Sequence, residues 1–123
     1  MNAMEQALKG VPRVDGMVGA ALVESSTGRV VGAIPVRPEG DTAVVAAAAT
    51  DLVHVLGLMT ANLAAADDLE ELIITLRGHL HLVRPLDAAG HDGVFLLVTL
   101  DRSRANLALA RHQLHAFESQ IVG

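Results

Sequence analysis

The chain has 123 residues, 51% of them hydrophobic, and a formal net charge of −5 at pH 7. It contains two phenylalanines and neither tryptophan nor tyrosine, and its nine basic residues are scattered. We therefore predict no nucleic-acid partner, because stacking rings and a basic stripe are both missing. Cysteine is absent, which excludes disulfides, a thiolate nucleophile and a cysteine-ligated metal.

The expected organisation is a single domain over residues 1–123, long enough to enclose a hydrophobic core. Met1, Asn2 and Ala3 precede a second methionine, Met4, and are consistent with an expression scar. Residues 1–11 lack the continuous apolar core of a secretory signal, so the expected location is the cytoplasm.

Hydrophobic patterning predicts eight elements. In chain order they are a helix at 3–10, strands at 16–24 and 29–34, a long helix at 42–66, strands at 72–76, 79–86 and 94–100, and a helix from 101–103 to 121.

The strand at 94–100 is apolar on both faces, as expected for a central strand that is covered on both sides. Short connections favour antiparallel neighbours within each group of strands. We therefore predict an α+β fold with three layers. A five-stranded antiparallel sheet carries the long helix on one side and the two terminal helices on the other.

The long helix is apolar on almost every side. Residues 42–66 include one carboxylate, Asp51, one imidazole, His54, and no Lys, Arg or Glu. One helix in a small domain rests on only one sheet, so its opposite side is predicted to meet a second chain and form a homodimer. Its two polar residues, its alanine content and its lack of flanking basic or aromatic anchors argue against membrane insertion.

The predicted dimer interface has two parts. The third strand contributes because an uncovered apolar edge strand promotes aggregation. Sequence alone does not separate helical residues that face the mate from those that face the sheet. The predicted interface residues are Val45, Ala48, Ala49, Leu52, Val55, Leu56 and Met59 from the helix, and Leu72, Ile74 and Leu76 from the strand.

Asp51 and His54 interrupt the apolar surface of the long helix at a spacing of three. One interpretation is a solvent-facing strip, or a mutual pair across the two-fold axis. The other is a polar contact for an incoming partner.

Four strings, in their order and spacing, resemble the Roadblock family, which includes roadblock-type dynein light chains and bacterial regulators of Ras-like GTPases. They lie at 14–23, 26–28, 78–86 (GHLHLVRPL) and 105–111 (ANLALAR), and the Ala-rich central helix between them is part of the same resemblance. The resemblance implies dimers in which long helices pack together and third strands pair across a two-fold axis. It also implies non-catalytic scaffolding, often as the partner or regulator of a small Ras-like GTPase. The chain departs from the family in its short first helix and in Thr27 of the first turn.

The sequence carries no motif for catalysis or cofactor binding. The single lysine, Lys9, is followed by Gly10 and Val11 and does not fit a phosphate-binding loop. No Gly-x-Ser-x-Gly elbow occurs. The acidic stretch 67–71 is interpreted as a solvated loop. An arginine-finger role is rejected because no arginine lies in a long flexible loop; the candidates are Arg77, Arg84, Arg102, Arg104 and Arg111.

Two pairs of histidines have spacings that metal sites use. His79 and His81 alternate on one strand, with His91 or Asp92 in the next loop as an added ligand. His112 and His115 form a helical pair three residues apart. No third ligand is fixed by spacing in either case, so we predict no metal site.

These observations favour a cytoplasmic homodimeric adaptor that binds a small Ras-like GTPase and tunes its nucleotide cycle or localisation. The first alternative is a structural scaffold that tethers larger proteins regardless of nucleotide. The second is a small hydrolase or metal enzyme that uses His79 and His81.

Overall fold

The computed structural model describes Leu8 and residues 14–35, 42–61, 69–86 and 93–122. The predicted helix at 3–10, apart from the helical and buried Leu8, and the predicted helical residues 62–66 lie outside the described residues. The described elements are β1 (Met17–Glu24), β2 (Val30–Pro35), α1 (Thr42–Ala61), β3 (Leu72–Thr75), β4 (His79–Pro85), β5 (Val94–Asp101) and α2 (Leu107–Val122).

The five strands form one antiparallel sheet with the order β2-β1-β5-β4-β3. β5 occupies the centre and joins the two strand groups by pairing with both β1 and β4. Its residues from Val94 to Val98 are all buried, as the two-sided apolar pattern predicts. The order places β3 at one edge of the described sheet and β2 at the other.

Each face of the sheet has its own apolar cluster. Alternate residues such as Leu22, Leu82 and Leu96 pack with Leu114 of α2, and Leu8 belongs to the same cluster. The residues between them pack on the other face with Ala46 and Ala49 of α1; they include Val23, Val83, Phe95 and Leu97. The predicted three-layer arrangement is confirmed for the described residues.

The side of α1 that touches the sheet is made of small residues. Ala46 is 0% exposed, and Ala49 and Thr50 are 4% exposed. The hydroxyl of Thr50 donates to the carbonyl of Ala46 at 2.8 Å, so its burial leaves no unpaired polar group. Short side chains let the helix approach the sheet closely. Val45 and Val53 also pack on this cluster, and most of the other large apolar residues of α1 lie on its remaining sides.

The last helix begins at Leu107, so the predicted start at 101–103 is wrong. The carboxylate of Asp101 does cap a turn, because it accepts hydrogen bonds from the backbone N and the hydroxyl of Ser103. This turn extends only to Arg104 and does not continue into the helix. The side chain of Asn106 then caps α2 by accepting from the backbone N of Leu109 at 3.0 Å.

A close approach explains why residues 101–106 stay outside the helix. Gly16 has φ +82°, and a Cβ at this position would lie 3.0 Å from the backbone N of Ala105. The start of β1 and the loop after β5 are therefore packed backbone to backbone, which requires a glycine here.

A network of ion pairs joins β3, β4 and α2 on the face that α2 covers. Arg84 pairs with both Glu71 and Glu118, its Nη2 lying 3.0 Å from Oε2 of Glu118. Arg111 adds a contact of 2.7 Å to Glu71. The Arg84 side chain is 7% exposed and that of Glu71 is 8% exposed. Glu71 therefore does not lie in a solvated loop, and the prediction for the stretch 67–71 is wrong at this residue.

Burial alone would lower the pKa of Arg84, but hydrogen bonds and charge from Glu118 and from Glu71 raise its pKa above the ordinary value. Arg84 thus remains charged inside the fold, and it is a structural residue with no access to a partner's phosphate.

We predict that Arg84→Ala lowers the free energy of unfolding by about 3–5 kcal/mol, because it leaves Glu118 without its cation and Glu71 with Arg111 alone. Urea denaturation followed by circular dichroism at a fixed protein concentration measures this change. Arg29→Ala is the control, since Arg29 is 69% exposed and its pair with Glu24 lies on the surface; it should have little effect. Equal losses in the two variants would contradict a structural role for the network.

Candidate protein-binding surface

The side of α1 that points away from the sheet is apolar and exposed. Val44, Val55, Leu58 and Met59 are each more than 60% exposed, and Leu52 is 44% exposed. Fully burying one such side chain stabilises a protein by about 1.5–3 kcal/mol relative to leaving it in water. We call the residues Val44, Ala48, Leu52, Val55, Leu58 and Met59 the α1 outer face.

The structure separates the predicted helical interface residues into two groups. Ala49 is buried against the sheet of its own chain, and Val45 is half-buried against the same cluster. Ala49 therefore faces the sheet, which corrects its place among the predicted interface residues; the uniform hydrophobicity of the helix did not separate it from residues on the outer side. Leu56 is half-buried. Ala48, Leu52, Val55 and Met59 lie on the α1 outer face and stay predicted interface residues.

Sequence reasoning left Val44 and Leu58 out of the interface, yet they are 64% and 69% exposed. A signal was available, because helical spacing places both on the side opposite Ala46 and Ala49. Helical spacing identifies the exposed side only when it is known that the small residues of α1 face the sheet.

The edge strand β3 is the second part of the surface. Among the described strands it pairs only with β4. Leu72 lies opposite Val83, and Ile74 lies opposite His81, so both point to the face that carries α1. Leu76, just past the strand, is 47% exposed. The β3 edge of the described sheet is therefore apolar and has unpaired backbone groups on its outer side.

His54 connects α1 to the turn between β1 and β2 by a hydrogen bond. Its Nε2 lies 2.6 Å from the carbonyl oxygen of Ser25, and this nitrogen is the donor because a carbonyl only accepts. The backbone N and the hydroxyl of Ser25 both donate to the carbonyl of Gly93. The ring of His54 therefore has a partner within its own chain.

Asp51 is exposed and lies on the same side of the helix as Val44, Val55 and Leu58. It is the one carboxylate of α1. Any protein that covers this side must offer Asp51 a hydrogen-bond donor or leave it at a wet rim.

α1 is long and apolar enough to span a membrane by length and composition, and only 17% of the stretch is buried in the protein. Two features connect it to the rest of the fold. Its small residues pack on the sheet, and His54 contacts Ser25.

No protein-family model matches the sequence, and no curated protein matches it either. Solved structures do match. The Roadblock/LC7 domain from Streptomyces avermitilis is 19% identical to this chain, with a TM-score of 0.75, and the match covers 95% of this chain and 92% of that one. The chain has the Roadblock fold.

Two further structures with high similarity carry the name MglB. One is the gliding protein mglB from Thermus thermophilus, at 14% identity and a TM-score of 0.77, covering 96% of this chain and 87% of that one. The other is MglB with a tetrameric arrangement, at 14% identity and a TM-score of 0.80, covering 99% and 90%. At these identities the likeness shows a shared fold, and it extends over nearly the whole chain.

Of the predicted pair His79 and His81, His81 forms a hydrogen bond within the sheet. Nδ1 of His81 lies 2.9 Å from the hydroxyl of Thr99 on the neighbouring strand. The described residues contain no group of three or more metal-ligating side chains that could hold an ion. His91 and Asp92, the suggested third ligands, lie outside the described residues. His112 and His115 are exposed on α2.

Burial lowers the pKa of His81, and the charge of nearby His79 lowers the same pKa further. The unfolded chain therefore binds a proton at this histidine more readily than the folded chain does. Consequently, the folded state loses stability as the pH falls through the ordinary histidine pKa.

We predict that the free energy of unfolding decreases between about pH 7 and about pH 5, and that His81→Gln makes this decrease smaller. Urea denaturation at a series of pH values gives the measurement. His112→Gln, on the exposed side of α2, is the matched control and should retain the full decrease. A wild-type pH dependence retained by His81→Gln would show that other groups cause it.

Proposed function

We propose that this chain is a non-catalytic, homodimeric adaptor that binds a small Ras-like GTPase in the cytoplasm and tunes its nucleotide cycle or localisation. The observation that carries the proposal is the α1 outer face, an exposed apolar surface next to an apolar edge strand. The Roadblock resemblance supplies the partner class, and the fold shared with MglB supports it.

The geometry of the edge strand limits how a second copy docks. Two β3 strands that pair antiparallel are related by a two-fold axis perpendicular to the sheet, because an axis along the strands would make them parallel. A perpendicular axis keeps both α1 helices on the same face of the joined sheet. Helix packing and strand pairing are therefore compatible in a single symmetric dimer.

Within that dimer, the flank of α1 that points towards β3 meets the mate. His54 marks the opposite flank, since it contacts the β1–β2 turn, and β2 is the edge strand farthest from β3. Ala48, Leu52 and Met59 lie on the other side of the helix from His54. These residues cover the mate's helix in the proposed dimer, together with half-buried Leu56.

The outermost side of α1 stays uncovered when two helices lie side by side on one sheet face. It consists of Val44, Asp51 and Leu58, while Val55 stays a predicted interface residue. We assign this side to the GTPase partner, with Asp51 as its polar contact. Such an apolar surface around one carboxylate suits a protein surface that offers a donor, whereas a bilayer core would leave the charge unpaired.

We predict that Ala48→Glu and Met59→Glu each weaken the dimer at least about a hundredfold, because a carboxylate would be buried without a partner. Sedimentation velocity over a concentration series measures the change. Leu109→Glu, a similar substitution at a 43% exposed position on α2, is the control and should sediment as wild type. Ala49→Glu should instead destabilise the folded chain itself. A wild-type protein that is monomeric at micromolar concentration would refute the dimer.

We predict that pull-down with the purified dimer from the source cell captures a GTPase-sized protein that prefers one nucleotide state. Leu58→Glu should lower the affinity for this partner at least about tenfold and leave the protein dimeric, because Leu58 lies on the outermost side of α1. Comparing GDP-loaded and GTP-loaded partner separates regulation from scaffolding. Equal binding of both forms, with no change in GTP turnover, would favour a nucleotide-independent scaffold that tethers larger proteins.

A further inference from the structure

Three exposed arginines lie together at the end of the sheet where β3, β4 and β5 meet. Arg77 follows β3, and Arg102 and Arg104 follow β5. Hydrogen bonds join the two turns. The backbone N of Arg102 donates to the carbonyl of Gly78 at 3.0 Å, and its Nη1 donates to the carbonyl of Leu76 at 3.1 Å. We call Arg77, Arg102 and Arg104 the arginine cluster.

The arginine cluster has more positive than negative charge around it. Among the described residues, neither Arg77 nor Arg104 forms an ion pair, whereas Arg29, Arg84 and Arg111 all do. Two carboxylates offset part of this charge: Asp101, which accepts two hydrogen bonds from Ser103, and exposed Asp15, which precedes Gly16, whose backbone packs on that of Arg104. This end is therefore locally positive on a chain whose net charge is −5.

The cluster is also accessible. A Cβ on Gly78, in the middle of the cluster, would meet no atom within 4 Å, and all three arginines are exposed. Hydrogen bonds from the backbone N and from Nη1 hold Arg102 on the β3–β4 turn. Because Nη1 is already fixed, binding a ligand costs less side-chain entropy at Arg102.

The chemistry favours carboxylates as the ligand. A guanidinium presents a planar fork of donors that matches a carboxylate with two parallel hydrogen bonds. The cluster contains no lysine or aromatic residue and stands on two tight turns. Peripheral membrane anchors typically use an amphipathic helix with basic and large apolar residues. We propose that the arginine cluster is a docking site for an acidic segment of a protein partner.

This site is separate from the α1 outer face. The turn at Ser25 and Gly93, which holds His54, lies at the opposite end of β1 and β5 from the arginine cluster. The proposal rests on the proposed function only in taking the ligand to be a protein. It does not depend on the partner being a GTPase.

The test uses the purified full chain and a fluorescein-labelled hexaglutamate peptide, with binding followed by fluorescence anisotropy at about 50 mM salt. The wild type should bind, and binding should disappear at about 500 mM salt. Replacing all three arginines with glutamine should weaken binding at least about tenfold. Arg29→Gln is the matched control, because Arg29 is an exposed arginine at the other end of β1, and it should bind as wild type.

Three results would overturn the proposal. These are no peptide binding by the wild type, an equal loss in Arg29→Gln, and stronger arginine-dependent binding to vesicles of equimolar phosphatidylserine and phosphatidylcholine than to the peptide. If the triple variant fails to fold, Arg77→Gln and Arg104→Gln carry the test, since neither side chain makes an ion pair among the described residues. Leu58→Glu, expected to lose the GTPase, should still bind the peptide, so the two proposals fail independently.

Discussion

The contrast between the two sides of α1 is the constraint on which the rest of the structure depends. Two alanines and a threonine whose hydroxyl is hydrogen-bonded bring the helix close to the sheet, and of its larger apolar residues only Val45 and Val53 take part in this packing. Leucine, valine and methionine are left facing outward, where contact with water is unfavourable. Such a helix is stabilised when a second surface covers it, and in the proposed dimer the mate covers α1 and pairs with the edge strand β3.

The order and type of the elements were predictable because their signals are local. Branched apolar runs gave the strands, glycine-containing turns separated them, and the two-sided apolar run of β5 indicated the middle of the sheet. The start of α2 was not predictable to within a turn. Asp101 and Asn106 both have capping side chains, and the choice between them depends on how closely the loop packs on Gly16.

Features that depend on distant residues could not be read from the sequence. The Arg84 network joins residues 13 and 34 positions away, and no local pattern specifies which carboxylate pairs with which arginine. The bond from His54 to Ser25 spans 29 positions. The arginine cluster needs the pairing of β4 with β5 before Arg77 and Arg102 become neighbours. In contrast, the apolar surface of α1 was predictable, because it requires only composition and helical spacing, and only its division between sheet and mate required the fold.

The ion pairs of Glu71 have a mechanical consequence. This residue stands directly before β3, and through Arg84 and Arg111 it is connected to α2, which covers the same face of the sheet. Shifting the edge strand lengthwise must therefore carry α2 with it or break a shielded charge pair. A displacement of β3 is in this way transmitted to α2.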